Sequence, residues 1–413
     1  MNIPLPSPGE LCSRRNLQRG VSIVVALAVV CVGGWIAVDV AAAQRITDSQ
    51  FIGISTKTKI TRNFEIYNPH SRQELQAVKE MGFTQVILDW PNLHPDATAL
   101  GLNVVLANWW TDQTASEDIE RSIELAKQVD KNHLAGISVM DEPNRNSPAT
   151  PFDFYVRTYD QLRPRLDREL PGVDLEISHW GPLASWDQID YHLFADLYRS
   201  ADVMRIMPYP DLFERDLDDV YLMMQRSRAL MKKADRELRL LVILQAWTLP
   251  PKSELPTIDE LRVMAYQAML GGAETVSFYH YRPEEWAETA GFHQQFAQLM
   301  KELTDLSRQF ANATIESTLA ENGILKSVLT SPSGEITTIR VNTRRTRVDD
   351  LSPLMVERVG AQVPAAAAQN HVQVASSLQA CRGIWSRICN GIRCRHAARP
   401  ATWTTRFRRR CYR

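Results

Sequence analysis

The chain has 413 residues, 44% hydrophobic and 23% charged, a globular composition with room for one large domain and additions. The formal net charge of −1 is unevenly spread: about ten arginines and no acid follow Cys381, while residues 44–380 hold roughly −12. An acidic body repels phosphates, which argues against nucleic acid as its partner, and its lack of cysteines excludes a disulfide framework, a cysteine nucleophile or a cysteine zinc site there.

Residues 21–38 are almost wholly apolar, with Arg14, Arg15 and Arg19 before them and Ala41, Ala42 and Ala43 after. A basic stretch, an apolar stretch and small residues before a cut make a secretory signal peptide, cleaved before Gln44. Ser13 to Arg19 is similar to a twin-arginine export motif, and an ordinary leader with two adjacent arginines fits as well. The apolar run is also long enough to anchor in a bilayer uncleaved. Residues 1–43 are therefore read as a signal peptide or membrane anchor. The body is expected to be exported: periplasmic, extracellular or membrane-anchored.

From Phe51 onward, short β-branched runs alternate with longer amphipathic ones. The expected strands are 51–57 (FIGISTK), 84–90 (TQVILDW), 103–109 (NVVLANW), 136–142 (GISVMDE), 174–180 (DLEISHW), 202–209 (DVMRIMPY), 238–247 (LRLLVILQAW) and 274–281 (ETVSFYHY). Helices are expected over 71–81, where Ser71 and Glu74 have capping-box spacing, and over 116–131, 151–170, 187–199, 217–238, 258–270 and 292–310. Eight β-then-α units predict an α/β fold, a (β/α)₈ TIM barrel over 50–314, because parallel strands need crossovers and eight of them close. An open doubly wound sheet would show a Gly-rich phosphate loop after its first strand, and there is none. Next, 324–330 and 335–341 flank a Ser-Pro-Ser-Gly turn and predict a β-hairpin of a small or truncated β-domain over 315–346. Residues 347–413 lack periodicity and are read as a disordered Arg- and Cys-rich tail, an out-of-frame or degraded end of a longer β-domain. A basic arm for nucleic acid or membrane is the competing reading of that tail.

Barrel strands alternate, so the sequence can propose its own mouth at the C-terminal strand ends. Ser138, Met140 and Glu142 are expected to face the axis, as are Asp89, Arg205, Met207, Tyr209, Tyr279 and Tyr281; Gln245 and Trp247 share the parity of Ile243. Lys57 and His179 also fall at strand ends. Trp90, Trp109, Trp110, Trp180, Trp247 and Trp286 cluster there too. A flat ring stacks on the C–H face of a pyranose; rim packing is the other use of a large amphipathic ring.

The run Met140-Asp141-Glu142-Pro143-Asn144 puts a carboxyl pair at a strand end, stopped by proline. Here the barrel, about residues 50–312, resembles the TIM-barrel superfamily of retaining glycoside hydrolases, whose fourth strand ends in Asn-Glu-Pro. The resemblance implies Glu142 as general acid, with Asp141 where the asparagine stands and Tyr209 and Tyr281 lining the sugar site. It also implies a nucleophilic Glu on the seventh strand, where this chain has Gln245, and an amide cannot form the glycosyl-enzyme. Three explanations stay open. The Asp141–Glu142 pair is also similar to that of substrate-assisted hexosaminidases, in which the Asp steadies the substrate's acetamido group. Asp89, Asp112 or Asp211 could be the base of an inverting reaction. Or the barrel binds sugars without cleaving them.

An inward Glu142 among apolar neighbours and beside Asp141 has its carboxyl pushed toward protonation. A structural ion pair with Arg205 or Lys57 is the competing reading. A rim metal site from His179, His280, Asp89 and Glu142 lacks the His-x-His pair on the first strand that amidohydrolase-like barrels carry. No GxSxG, HExxH or P-loop occurs in the body, and no cofactor is expected. The expectation is an enzyme hydrolysing O-glycosidic bonds of an oligo- or polysaccharide. Glu142 and Asp141 are its catalytic residues, and Asp89, Trp109, His179, Trp180, Tyr209, Gln245, Trp247 and Tyr281 bind substrate. The alternative is a catalytically inactive carbohydrate-binding barrel; a surface-anchored structural protein would bind no sugar at all.

Overall fold

The computed structural model describes residues 48–359, apart from 90, 109–114, 140–151, 181–190, 213–214 and 249–253. Eight parallel strands close into a barrel: β2 (Asn63–Tyr67), β3 (Gln85–Leu88), β4 (Asn103–Asn108), β5 (Leu134–Val139), β6 (Asp174–Trp180), β7 (Val203–Met207), β8 (Arg239–Gln245) and β9 (Thr275–Tyr279), with β9 pairing back to β2. The crossovers carry helices α1 (Arg72–Glu80), α2 (His94–Ala99), α3 (Ala115–Ala126), α4 (Phe152–Glu169), α5 (Tyr191–Tyr198), α6 (Asp219–Lys233) and α7 (Ile258–Leu270); α8 (Pro283–Glu288) and α9 (Phe292–Gln309) follow the last barrel strand. The expected barrel is therefore present.

Strand alternation separates the apolar residues into two cores. Val86, Leu88, Ile137, Met204, Ile206, Val276 and Phe278 point outward and pack with the helices. Tyr67, Ile87, Val105, Met207, Tyr209, Leu241 and Ile243 form a separate interior cluster. Helix starts follow the expected chemistry: the Ser71 hydroxyl accepts from Glu74 N at 3.2 Å, and Thr257 and Glu260 form a reciprocal capping box at α7.

Two expectations need correction. Residues 51–57 do not start the barrel. β1 (Thr56–Lys59) instead runs antiparallel to β10 (Thr314–Leu319), with Lys57 opposite Glu316. The first barrel strand is β2, whose NFEIY places Phe64 and Ile66 outward, while Tyr67 joins the interior. Its central Glu65 disguised it as a poor strand, since a buried carboxylate needs a partner that local sequence does not show.

The expected hairpin belongs to a larger sheet, in the order β1, β10, β11 (Ile324–Thr330), β12 (Ile336–Asn342) and β13 (Val356–Val359). Two strands alone would be marginal; five with one apolar face are not. Ile315, Leu325, Leu329, Ile339 and Val341 of that face are fully buried in the main core. Tyr221 of α6 shares a 2.7 Å hydrogen bond with Thr56, and Ser317 donates to Leu270 O at 2.9 Å. Gly272 (φ +80°) lies where an added Cβ would come within 2.4 Å of Thr58 Cβ, so only glycine allows this approach.

Candidate functional site

The barrel floor is ionic. Arg205, fully buried on β7, pairs with Glu65 of β2 and Glu176 of β6. Gln85 donates to Glu65 at 2.6 Å and Ser277 donates to it at 2.7 Å. Gly136 makes room, since a Cβ there would sit 2.5 Å from Glu176 Oε1. Burial pushes the Glu176 carboxyl up to about 7 against the pull of Arg205, and Glu65 pushes it the same way. Arg205 is thus committed to the floor and Lys57 to the antiparallel sheet.

Above the floor stands a column of rings. The Arg205 guanidinium lies 5.4 Å from the Tyr67 ring centre. Tyr67 meets Tyr279 edge-on at 5.0 Å, and Tyr279 meets Trp247 edge-on at 5.7 Å. His280 lies 4.4 Å from Tyr279 and 6.3 Å from Trp247. The column runs from the floor toward the mouth through residues at or just past the C-terminal ends of β2, β8 and β9.

The predicted site residues separate clearly. Asp89, half-buried after β3, accepts from Asn68 Nδ2 at 2.7 Å. Tyr209 is buried in the interior cluster, as its parity requires. Gln245 is fully buried, and its Nε2 donates to Trp247 O at 3.0 Å and Glu254 O at 3.5 Å, which holds the segment beyond β8. Trp247 is half-buried at the rim.

Two of the proposed substrate contacts belong elsewhere. His179 points outward with Leu175 and Ile177, because Glu176 and Ser178 take the inward parity. Its Nδ1 lies 2.5 Å from the hydroxyl of Tyr198 on α5, and burial lowers its pKa to about 3. It is a neutral core histidine of the helix layer. Tyr281 packs outward too, edge-on to Trp286 at 5.1 Å, and burial raises its hydroxyl to about 12. Trp286, expected at the rim, is fully buried and donates to Ala246 O at 2.9 Å. Asp211 is held by Arg345, so it is not a ready base. Glu142, Asp141, Asp112, Trp90, Trp109 and Trp110 lie outside the described residues, as does the side chain of Trp180. Among the described residues, no group of three His, Cys, Asp or Glu side chains could hold a metal ion.

Asn68 and Tyr67 were missed as site candidates, and His280 was weighed only as a metal ligand. The first two belong to the unrecognised first barrel strand, and His280 is the residue between two tyrosines whose parity drew attention.

No protein-family model matches the chain, and no curated protein sequence does. Among solved structures it is similar to a glucosidase from Croceicoccus marinus, with a TM-score of 0.50 and 11% identity over 75% of this chain and 81% of that one. The fold is shared. A β-galactosidase from the psychrophilic Marinomonas ef1 gives 0.45 at 13% over 60% of each chain, and an endo-β-1,4-mannanase from Thermotoga petrophila gives 0.45 at 10% over 74% and 92%. At such identities the likeness is one of architecture.

Proposed function

We propose that the protein is an exported glycoside hydrolase that cleaves O-glycosidic bonds of a carbohydrate, with Glu142 as general acid. The observation that carries this reading is the register of β5. Ile137 packs outward among the helices, Ser138 takes the opposite parity next to Ala107, and Ala107 packs on the interior cluster. The proposal extends this alternation past Val139, with Met140 and Glu142 toward the axis at the end where barrel enzymes react. The shared architecture with a glucosidase supports the same class.

In the proposed step Glu142 gives its proton to the leaving glycosidic oxygen as the C–O bond breaks. Water, or first the substrate's own acetamido oxygen, bonds to the anomeric carbon, and the water's proton goes to a second carboxylate. Asp141 suits the acetamido route and Asp89 the direct one. Double displacement is disfavoured because the seventh barrel strand offers Gln245, whose amide is engaged with backbone carbonyls. That same amide favours a second reading, a barrel that binds carbohydrate without cleaving it.

Hydrolysis of a panel of aryl glycosides, N-acetyl sugars included, tests the proposal. Wild type should turn over at least one, and Glu142→Gln should lower kcat at least a hundredfold, in the range of general acid catalysis (roughly 10²–10⁴). Equal inactivity of both proteins alongside retained oligosaccharide binding would leave only the binding reading.

A further inference from the structure

At the rim of the barrel, several buried polar atoms lack partners among the described residues. Trp247 Nε1, both ring nitrogens of His280 and Asn68 Oδ1 have no hydrogen-bond partner among the described residues. Buried polar groups are almost always satisfied, and a cluster left open asks what satisfies it. These residues follow β8, β9 and β2, consecutive staves of the closed ring. The Trp247 and His280 rings are only 31° from parallel with centres 6.3 Å apart, and His280 is 7% exposed while Trp247 is half-buried. The carboxylates of the barrel floor, in contrast, are met by Arg205, Gln85 and Ser277.

We infer that Trp247 and His280, with Asn68 at the end of the neighbouring strand β2, form a subsite that recognises adjacent hydroxyl groups of an uncharged sugar ring. The inference rests on the carbohydrate reading above and adds the chemical class of ligand and the residues that select it. The donor and acceptor inventory decides the class. The indole N–H donates only; a neutral imidazole supplies one donor and one acceptor; the Asn68 oxygen accepts. Two donors and two acceptors match a pair of hydroxyls, each of which both gives and takes. A carboxylate or phosphate would leave the acceptors unmet, and an ammonium group would leave the donors unmet. The imidazole keeps this dual character because burial, with Arg282 and His70 nearby, lowers its pKa to about 3. Tyr279, edge-on to Trp247 and 4.4 Å from His280, holds both rings in place.

The test uses the full chain with three neutral disaccharides, cellobiose, β-1,4-mannobiose and chitobiose, each titrated by calorimetry at millimolar concentration. Wild type should bind at least one of them. His280→Phe keeps a flat ring and removes both nitrogens, and should weaken that binding roughly tenfold to hundredfold, the loss of one or two neutral hydrogen bonds. The ligand-free melting temperature of this variant should be unchanged or higher, since it deletes polar atoms that the described residues leave unmet. His280→Gln, which retains a donor and an acceptor, should recover most of the affinity. Failure of wild type to bind any of the three, or unaltered affinity in His280→Phe, overturns the subsite. A lower melting temperature in His280→Phe with affinity intact overturns it too, by showing a purely structural histidine. The hydrolase proposal fails separately: sugars bound through His280 but never cleaved would leave the subsite standing, whereas Glu142-dependent hydrolysis indifferent to His280 would leave only the enzyme.

Discussion

Gln245 shows how one atom type can settle the role of a strand end. In a double-displacement barrel this position would hold a carboxylate; here an amide nitrogen donates to the carbonyls of Trp247 and Glu254. Gln245→Glu would replace a donor by a buried carboxylate facing two carbonyl oxygens. It should lower stability by about 2–3 kcal/mol and gain no nucleophilic activity. Denaturant melts and the aryl glycoside assay would check this, and a stable variant with new turnover would return Gln245 to the reaction. Sequence parity placed Gln245, Tyr209 and Trp247 correctly on the interior side. It could not show that His179 uses the other parity to reach Tyr198, because two adjacent strand residues, His179 and Trp180, are equally plausible until the register with β7 is known.

Among the elements, the antiparallel sheet does more than cover a flank. Its loop between β12 and β13 sends Arg344 to Asp216 and Asp218, and Arg345 to Asp211 and Glu260. Asp211 sits two residues past Tyr209, and Leu212 packs on the interior cluster. The sheet therefore grips the segment that forms one wall of the mouth. Arg345 is 44% exposed, so screening limits the latch to about 1 kcal/mol of stability. The larger effect of Arg345→Ala should be local: faster amide exchange across 209–218, with β9 unchanged, and a similar loosening of wild type by molar salt. Unaltered exchange in that segment would reduce the latch to a surface contact. No local pattern announced these pairings, which join residues 85 to 134 positions apart. The barrel repeat was legible because each strand and helix carries its own period. The first strand and the five-stranded sheet were not, since β1 finds its partner in β10 and Glu65 finds its partner in Arg205.

At the scale of the whole molecule, that last pairing ties the barrel across its width. β2 and β6 are four staves apart in a ring of eight, hence opposite, and Arg205 reaches both carboxylates. Burial, and after it the charge of Glu65, pushes Glu176 up to about 7, because one guanidinium is shared by two acids. The folded protein then holds a proton on Glu176 that the unfolded chain, with a carboxyl near 4.5, releases. A raised carboxyl adds stability that is complete below about pH 4.5 and is lost as the pH climbs through about 7. Other carboxylates titrate in the same range, so the comparison must be with Glu176→Gln, which keeps the shape and removes the titration. Between pH 4.5 and 7.5 the stability of wild type relative to this variant should fall by about 3 kcal/mol. Denaturant unfolding at the two pH values measures it. A flat difference would mean that Arg205 holds both carboxylates ionised throughout, and the cross-tie would then be a closed ion triad indifferent to pH.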